Sequence, residues 1–163
     1  MKTTRYVFGM LALCACIAAN AAGSGEYTRK GETTKLPNAF AVRQPDHFDK
    51  TKMLTSVLFS SKPLDAAKVN AAAKPIDEAE SQLRQSEASW AEIDIAPDGS
   101  IESIGFHAPG VSVSGGTSDK PVLVKNDEKR IEGSFRTKDE SEKAGDFGGY
   151  YDVKFALDIA PSH

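Results

Sequence analysis

Cysteine is scarce in this chain of 163 residues: Cys14 and Cys16 are the only two, and both lie near the N-terminus. The rest of the sequence has no disulfide to staple it and no thiol to serve as nucleophile or zinc ligand. Histidine is also sparse, with His47, His107 and His163 alone, so few imidazoles are on hand to act as a base. No serine sits in the G-x-S-x-G setting of a nucleophile elbow. A triad assembled in space around His47 or His107 stays open, but no spacing calls for one. Phosphate loops are missing too, because "GVSVSGG" has neither the lysine nor the strand–loop–helix setting. Basic residues are not in excess, at 20 Lys and Arg against 23 Asp and Glu, which gives no basic face for nucleic acid. The apolar run from Tyr6 to Ala15 falls well short of the ~20 residues that span a bilayer, so no membrane span is expected.

What is present begins with the layout of a secretory signal peptide. Lys2 and Arg5 precede the run "YVFGMLALCA", and Ala19 and Ala21 supply an A-x-A cleavage signal. Residues 1–22 are expected to be removed near Ala21 or Ala22, which places the protein in the periplasm or outside the cell. The alternative is an outer-membrane lipoprotein, since "LCAC" loosely resembles a lipobox ending at Cys16. Cleavage removes two basic residues and no acidic one, leaving 18 basic against 23 acidic residues and a net charge of −5. Residues 23–35 are polar and read as a partly mobile lead-in. Residues 36–163 form one domain, and the mature chain is long enough to bury a core.

The dominant hydrophobic period is two. Strands are expected at Asn38 to Arg43 and Lys52 to Ser61. The continuous apolar core Val57, Leu58 and Phe59 points to a strand buried on both faces or crossing under helices. Asp65 is a good N-cap ahead of "AAKVNAAA", and Pro75 ends that helix or opens the next. Ile76, Ala79 and Leu83 then line one helical face. "SWAEIDIAPDGSIESIGFHA" is a hairpin turning at Asp98-Gly99, with Ala91, Ile93 and Ile95 alternating with Trp90, Glu92 and Asp94 and a bulge near Ser103 to Gly105. A brief strand is expected at Val111 to Val113 and a turn at Asn126-Asp127. On the strand after that turn, Ile131, Gly133 and Phe135 share a face. The last strand puts Tyr151, Val153, Phe155, Leu157 and Ile159 inward and Tyr150, Asp152, Lys154, Ala156 and Asp158 outward. These elements predict a mainly β, β-rich α+β fold. It is an antiparallel sandwich or small barrel with one short helical insertion after the second strand.

Candidate ligands are few. "QPDHFDK" brings Asp46, His47 and Asp49 together but reads as a polar turn. His107 reads as a strand-end residue. Asp139, Glu140, Glu142 and Asp146, with Gly145, Gly148 and Gly149, are tested for calcium. The EF-hand pattern is absent, and Lys138 and Lys143 dilute the charge, so a solvated hairpin loop is favoured. Trp90 and the tyrosines could line a groove beside paired carboxylates, without specificity. No residue is assigned a catalytic, cofactor-binding or metal role.

"LPNAFAV", "VLFSSKPLDAA", "AEIDIAPDGSIESIGFH", "RIEGSFRTKDE" and "YYDVKFALDI" follow one another in an order that resembles a group of small exported bacterial proteins of unassigned function. The resemblance covers most of the mature chain and rests on hydrophobic pattern and a few turn residues. It implies a secreted or periplasmic β domain and brings no catalytic residue. The favoured function is an exported, non-catalytic binding or interaction domain for an unknown protein or glycan partner. In its sharper form it is an inhibitor or immunity protein for a secreted enzyme. The alternatives are an envelope polysaccharide hydrolase and a small-ligand carrier with an interior lined by Phe59, Phe135, Tyr151 and Phe155.

Overall fold

The structure, a computed structural model, describes residues 22–46, 48–143 and 149–160. The expected leader with Cys14 and Cys16 lies outside the described residues, as do His47, Gly145, Asp146, Gly148 and His163. In chain order the strands β1 to β4 are Ala22–Arg29, Glu32–Leu36, Asn38–Pro45 and Met53–Ser60. Helices α1 (Ala66–Ala71) and α2 (Pro75–Gln85) follow. Strands β5 to β10 are Trp90–Ile95, Ile101–Ala108, Val111–Gly115, Val122–Asn126, Arg130–Arg136 and Tyr150–Ala160. The protein is mainly β, a β-rich α+β fold.

The strands belong to one 10-stranded sheet folded over on itself. One half runs β2-β1-β10-β9-β8 and the other β3-β4-β5-β6-β7. The hinge is β10, whose length lets it serve both halves. It pairs antiparallel with β1 and β9, and its last residues then run parallel to β3, Ile159 beside Ala41 and Ala160 beside Val42. That parallel contact makes the sheet mixed rather than purely antiparallel. Between the halves lies the main core, where Tyr27, Phe135, Tyr151, Val153, Phe155 and Leu157 meet Val57, Phe59, Ile93, Ile95 and Phe106. Alternation with period two puts these residues on one face of each strand.

Strand β4 is the exception to alternation, and its reason is a second core. Val57 and Phe59 face the first core, while Leu58 faces outward against Val69, Ala79 and Leu83 of the helices. The strand is thus covered on both faces, as its continuous apolar run predicts. Asp65 caps α1, its Oδ1 accepting a hydrogen bond from the Lys68 amide at 3.2 Å, and the Asp65 amide donates to Gln82 Oε1 of α2 at 2.8 Å. Pro75 opens α2, where its missing N–H costs nothing. Asp65→Ala is expected to lower unfolding free energy by ~1 kcal/mol, read from paired urea melts. No change would mean that burial of Val69 alone holds α1.

Several expectations need correction. The polar lead-in 23–35 is not outside the fold: it forms the β1–β2 hairpin, with β1 paired to β10 from Ala22 to Thr28 and Tyr27 buried. Its strand pattern is hidden because glycines and polar residues occupy most of its inward positions. The helical insertion therefore follows the fourth strand, and it comprises two helices. The bulge falls at Glu102, since Asp94 pairs with Ser103 and Ile95 with Ile101. An extra residue there is what lets Ile101 and Ile104, three apart, both pack on the main core. Finally, Tyr150 faces outward but is buried at 1% exposure. A 3-10 turn at Glu140–Lys143 folds over it. Lys143 Nζ lies 4.3 Å from the ring centroid, the Arg136 guanidinium 5.6 Å, and the phenol donates to Glu140 Oε1 at 3.0 Å.

Candidate functional site

The outer face of β3 to β6 carries the helices, and polar residues continue beyond their cover. Antiparallel register sets Ser56, Asp94 and Ser103 side by side on three adjacent strands. Gln44 on β3 extends the row: its Nε2 donates to Ser56 Oγ at 2.6 Å. Ser56 Oγ donates to Asp94 Oδ1 at 2.5 Å, and Ser103 Oγ donates to Asp94 Oδ2 at 2.6 Å. Both oxygens of Asp94 are therefore occupied by serine hydroxyls. This fixes the rotamer of each partner across four strands.

At one end of the row, the β3–β4 turn and the α1–α2 junction rise on either side and enclose a cavity of about 860 Å³. That volume is within the range of ligand sites, ~300–1,000 Å³. Gln44, Asp94 and Ser103 lie along it, and Met53, Leu54, Pro75 and Ile76 supply apolar wall. Phe48 stands on the β3–β4 turn with 95% of its surface exposed. The wall charges are largely matched already. Lys52 pairs with Glu102, and Lys74 lies 3.6 Å from Asp77. Arg43 also lines the cavity, and its Nε is buried without a hydrogen bond.

Next to Asp94, two residues back along β5, is Glu92. Burial pushes its carboxyl up to about 8, and repulsion from Asp94 and from Glu80 of α2 acts in the same direction, as does its hydrogen bond with Asp94. Burial thus favours the neutral form of Glu92 beside Asp94. Farther along the same face Trp90 is buried and stacks on His107, centroids 4.7 Å apart, with the Arg84 guanidinium 5.2 Å above the indole. Burial lowers the His107 pKa, Glu80 opposes that shift, and Arg84 adds to it. Ser112 Oγ sits 3.0 Å from His107 Nδ1. Trp90 is core, so it offers no open platform for a sugar ring.

The acidic turns singled out in the sequence serve the backbone. Asp46 Oδ1 accepts from the amides of Phe48 (2.7 Å) and Asp49 (3.1 Å), while Asp49 accepts from the amide and hydroxyl of Thr51. Asp98 does the same for Ser100, Asp127 for Lys129 and Arg130, and Asp139 for Ser141. These bonds stabilise the charged form and pull the five carboxyls below their usual range. Glu140 is held by Lys143 and Tyr150, with Arg136 3.3 Å away, which lowers its pKa as well. Among the described residues no three His, Cys, Asp or Glu gather as a metal site. Phe59, Phe135, Tyr151 and Phe155 pack against one another in the main core, with Phe59–Phe155 centroids 6.1 Å apart and Phe135–Tyr151 6.2 Å.

No sequence motif marks Gln44, Phe48, Glu92 or Asp94, and Ser103 stands out only as part of the expected bulge. One signal bore on them: a β4 apolar on both faces requires something to cover its outer side, and that cover shields the outward residues of neighbouring β5 as well. Fold and site together define a mainly β domain with a cleft on the helix-bearing face of its sheet. No protein-family model, curated protein or solved structure matches the chain. No helix among the described residues is long and apolar enough to cross a membrane.

Proposed function

We propose that this chain is an exported, non-catalytic binding domain that holds a partner protein in the cleft between the β3–β4 turn and the α1–α2 junction. The observation that carries this reading is Phe48, a large ring presented to solvent at the rim of a partly apolar cavity. Aromatic anchors of this kind dominate protein interfaces once a partner covers them. The polar floor suits recognition better than proton transfer, because both Asp94 oxygens are engaged by Ser56 and Ser103. Export rests on the leader pattern, and cleavage near Ala21 or Ala22 would leave nearly the whole of β1 in place. An inhibitor or immunity protein for a secreted enzyme is the sharper form, since a rigid sheet with a projecting turn can plug a concave site.

Affinity capture from periplasmic extract with the wild-type chain and with Phe48→Ala tests this. The partner retained by the wild type should bind Phe48→Ala at least ~tenfold more weakly. Equal binding by the two would remove the cleft from consideration. A second reading, a polysaccharide hydrolase, draws on the Glu92–Asp94 pair, with Glu92 as acid. It requires turnover of an envelope glycan that Asp94→Asn and Glu92→Gln each abolish.

A further inference from the structure

We infer that β7 is a docking strand: an extended segment of a partner protein adds to its open edge and continues the sheet. Among the described residues three strands have a neighbour on one side only, β2, β7 and β8. Open edges invite unwanted pairing, and stable folds usually guard them with charge, proline or a bulge. Two of the three are guarded in that way. Strand β2 carries Glu32 and Lys35, both exposed. Strand β8 is broken by a register shift between Leu123 and Lys125 and places that lysine on the edge. Strand β7 has no such device. Its sequence, "VSVSG", holds no charge and no proline, and it pairs residue for residue with β6 from Ala108–Val111 to Ile104–Gly115.

A groove of about 770 Å³ runs beside this edge. Ile104, Val113 and Tyr151 give it an apolar side, and Thr137 and Lys138 stand on the opposite wall. Lys138 is engaged by Asp119, whose Oδ1 is 3.7 Å from Nζ and whose Oδ2 accepts from the Lys138 amide at 3.0 Å. Arg29, Asp139 and Glu142 line the groove as well, so its polar side carries charges of both signs. The occupant is therefore an extended peptide with alternating side chains. Every second one is apolar and modest in size, directed at Ile104 and Val113, and the others are polar. Main-chain bonds to β7 supply affinity, and the groove supplies choice of side chain. A second copy of this chain is a poorer occupant: five residues of edge bury far less than the ~1,200 Å² of a stable interface. This inference is independent of the cleft at Phe48, which shares no lining residue with the groove.

Short random peptides displayed on phage are panned on the full chain, and each peptide recovered is mapped by amide chemical shifts and peptide-to-protein contacts. The expected result is an extended peptide in contact with Val111–Gly115. Val113→Lys should weaken it by at least ~tenfold, while Phe48→Ala leaves it unchanged. Should Val113→Lys fail to fold, Ser114→Lys puts the charge on the exposed side of the same edge and should weaken binding likewise. The inference is overturned if no peptide is recovered, if contacts fall on β2, β8 or the cleft, or if a folded lysine variant binds as the wild type does.

Discussion

Glu92→Gln should make the protein more stable than wild type at alkaline pH and leave it about equal near pH 4. The folded state holds the Glu92 proton up to about 8, against an ordinary value of 4.5. A carboxyl raised in the folded state contributes its full stability below the unfolded value. That contribution falls as pH rises from 4.5 through about 8 and then levels off, because above 8 both states are ionised. Within the window the loss is about 1.4 kcal/mol per pH unit for one proton, a few kcal/mol in all. Glutamine keeps the shape and stays neutral, so the wild-type-minus-variant difference isolates this group. The carboxyls of Asp46, Asp49, Asp98, Asp127, Asp139 and Glu140 are all lowered. Their contributions vanish in acid for both proteins and cancel in the difference. Urea unfolding of the pair at several pH values between 4 and 9 provides the measurement. A gap that does not widen with pH would mean that water or a cation reaches Glu92 and keeps it ionised at low cost. It would also remove the main support for Glu92 as a proton donor.

Tyr27→Ala should cost ~3–5 kcal/mol of unfolding free energy, comparable to truncating a core phenylalanine. Tyr27 belongs to a segment whose composition suggests a loose lead-in, yet it is 2% exposed. Its ring stacks on Phe106 of the opposite half of the sheet, centroids 3.8 Å apart and planes 14° apart, and meets Tyr151 edge-on at 4.9 Å. It also lies directly over Gly149, where any Cβ would overlap the ring. One side chain thus ties the β1–β2 hairpin to both halves of the main core. Tyr27→Phe keeps the ring and should retain most of the stability. A cost below ~1 kcal/mol for the alanine variant would show that the hairpin does not depend on this anchor.

The two predictions bear on opposite faces of the same sheet, and these differ in how legible they are. The inner face was readable: Ile93, Ile95, Ile131, Phe135, Val153, Phe155 and Leu157 alternate with polar residues and are all buried in the main core. Tyr27 was not, because Gly23 and Gly25 occupy the inward positions before it. Glycine carries no hydrophobic signal, though Gly25 lies tight against Val153 and Gly23 against Ala39. The helices were readable from Asp65, Pro75 and the Ile76–Ala79–Leu83 spacing. Where they lie on the sheet was not, and the candidate site depends on it. Glu92 looks like a solvent-facing residue of a hairpin until α2 is placed near it. Ser56 and Asp94 lie 38 residues apart, and a window of local sequence does not contain their register.

By itself the sequence determined most of the period-two strands, a β4 covered on its second face, the helices with the Asp65 cap, and the acidic segments as solvated turns. These follow from local physics: side chains alternate along a strand, and an aspartate beside free amides caps its own turn. Only the tertiary structure decided that β10 joins both halves of the sheet and that residues 22–36 belong to it. It also brought α2 close to Glu92 and left β7 with an open edge. Each of these depends on which distant segments pair or pack together. Its energy comes from contacts between residues far apart in the chain, so no single stretch of the sequence carries it.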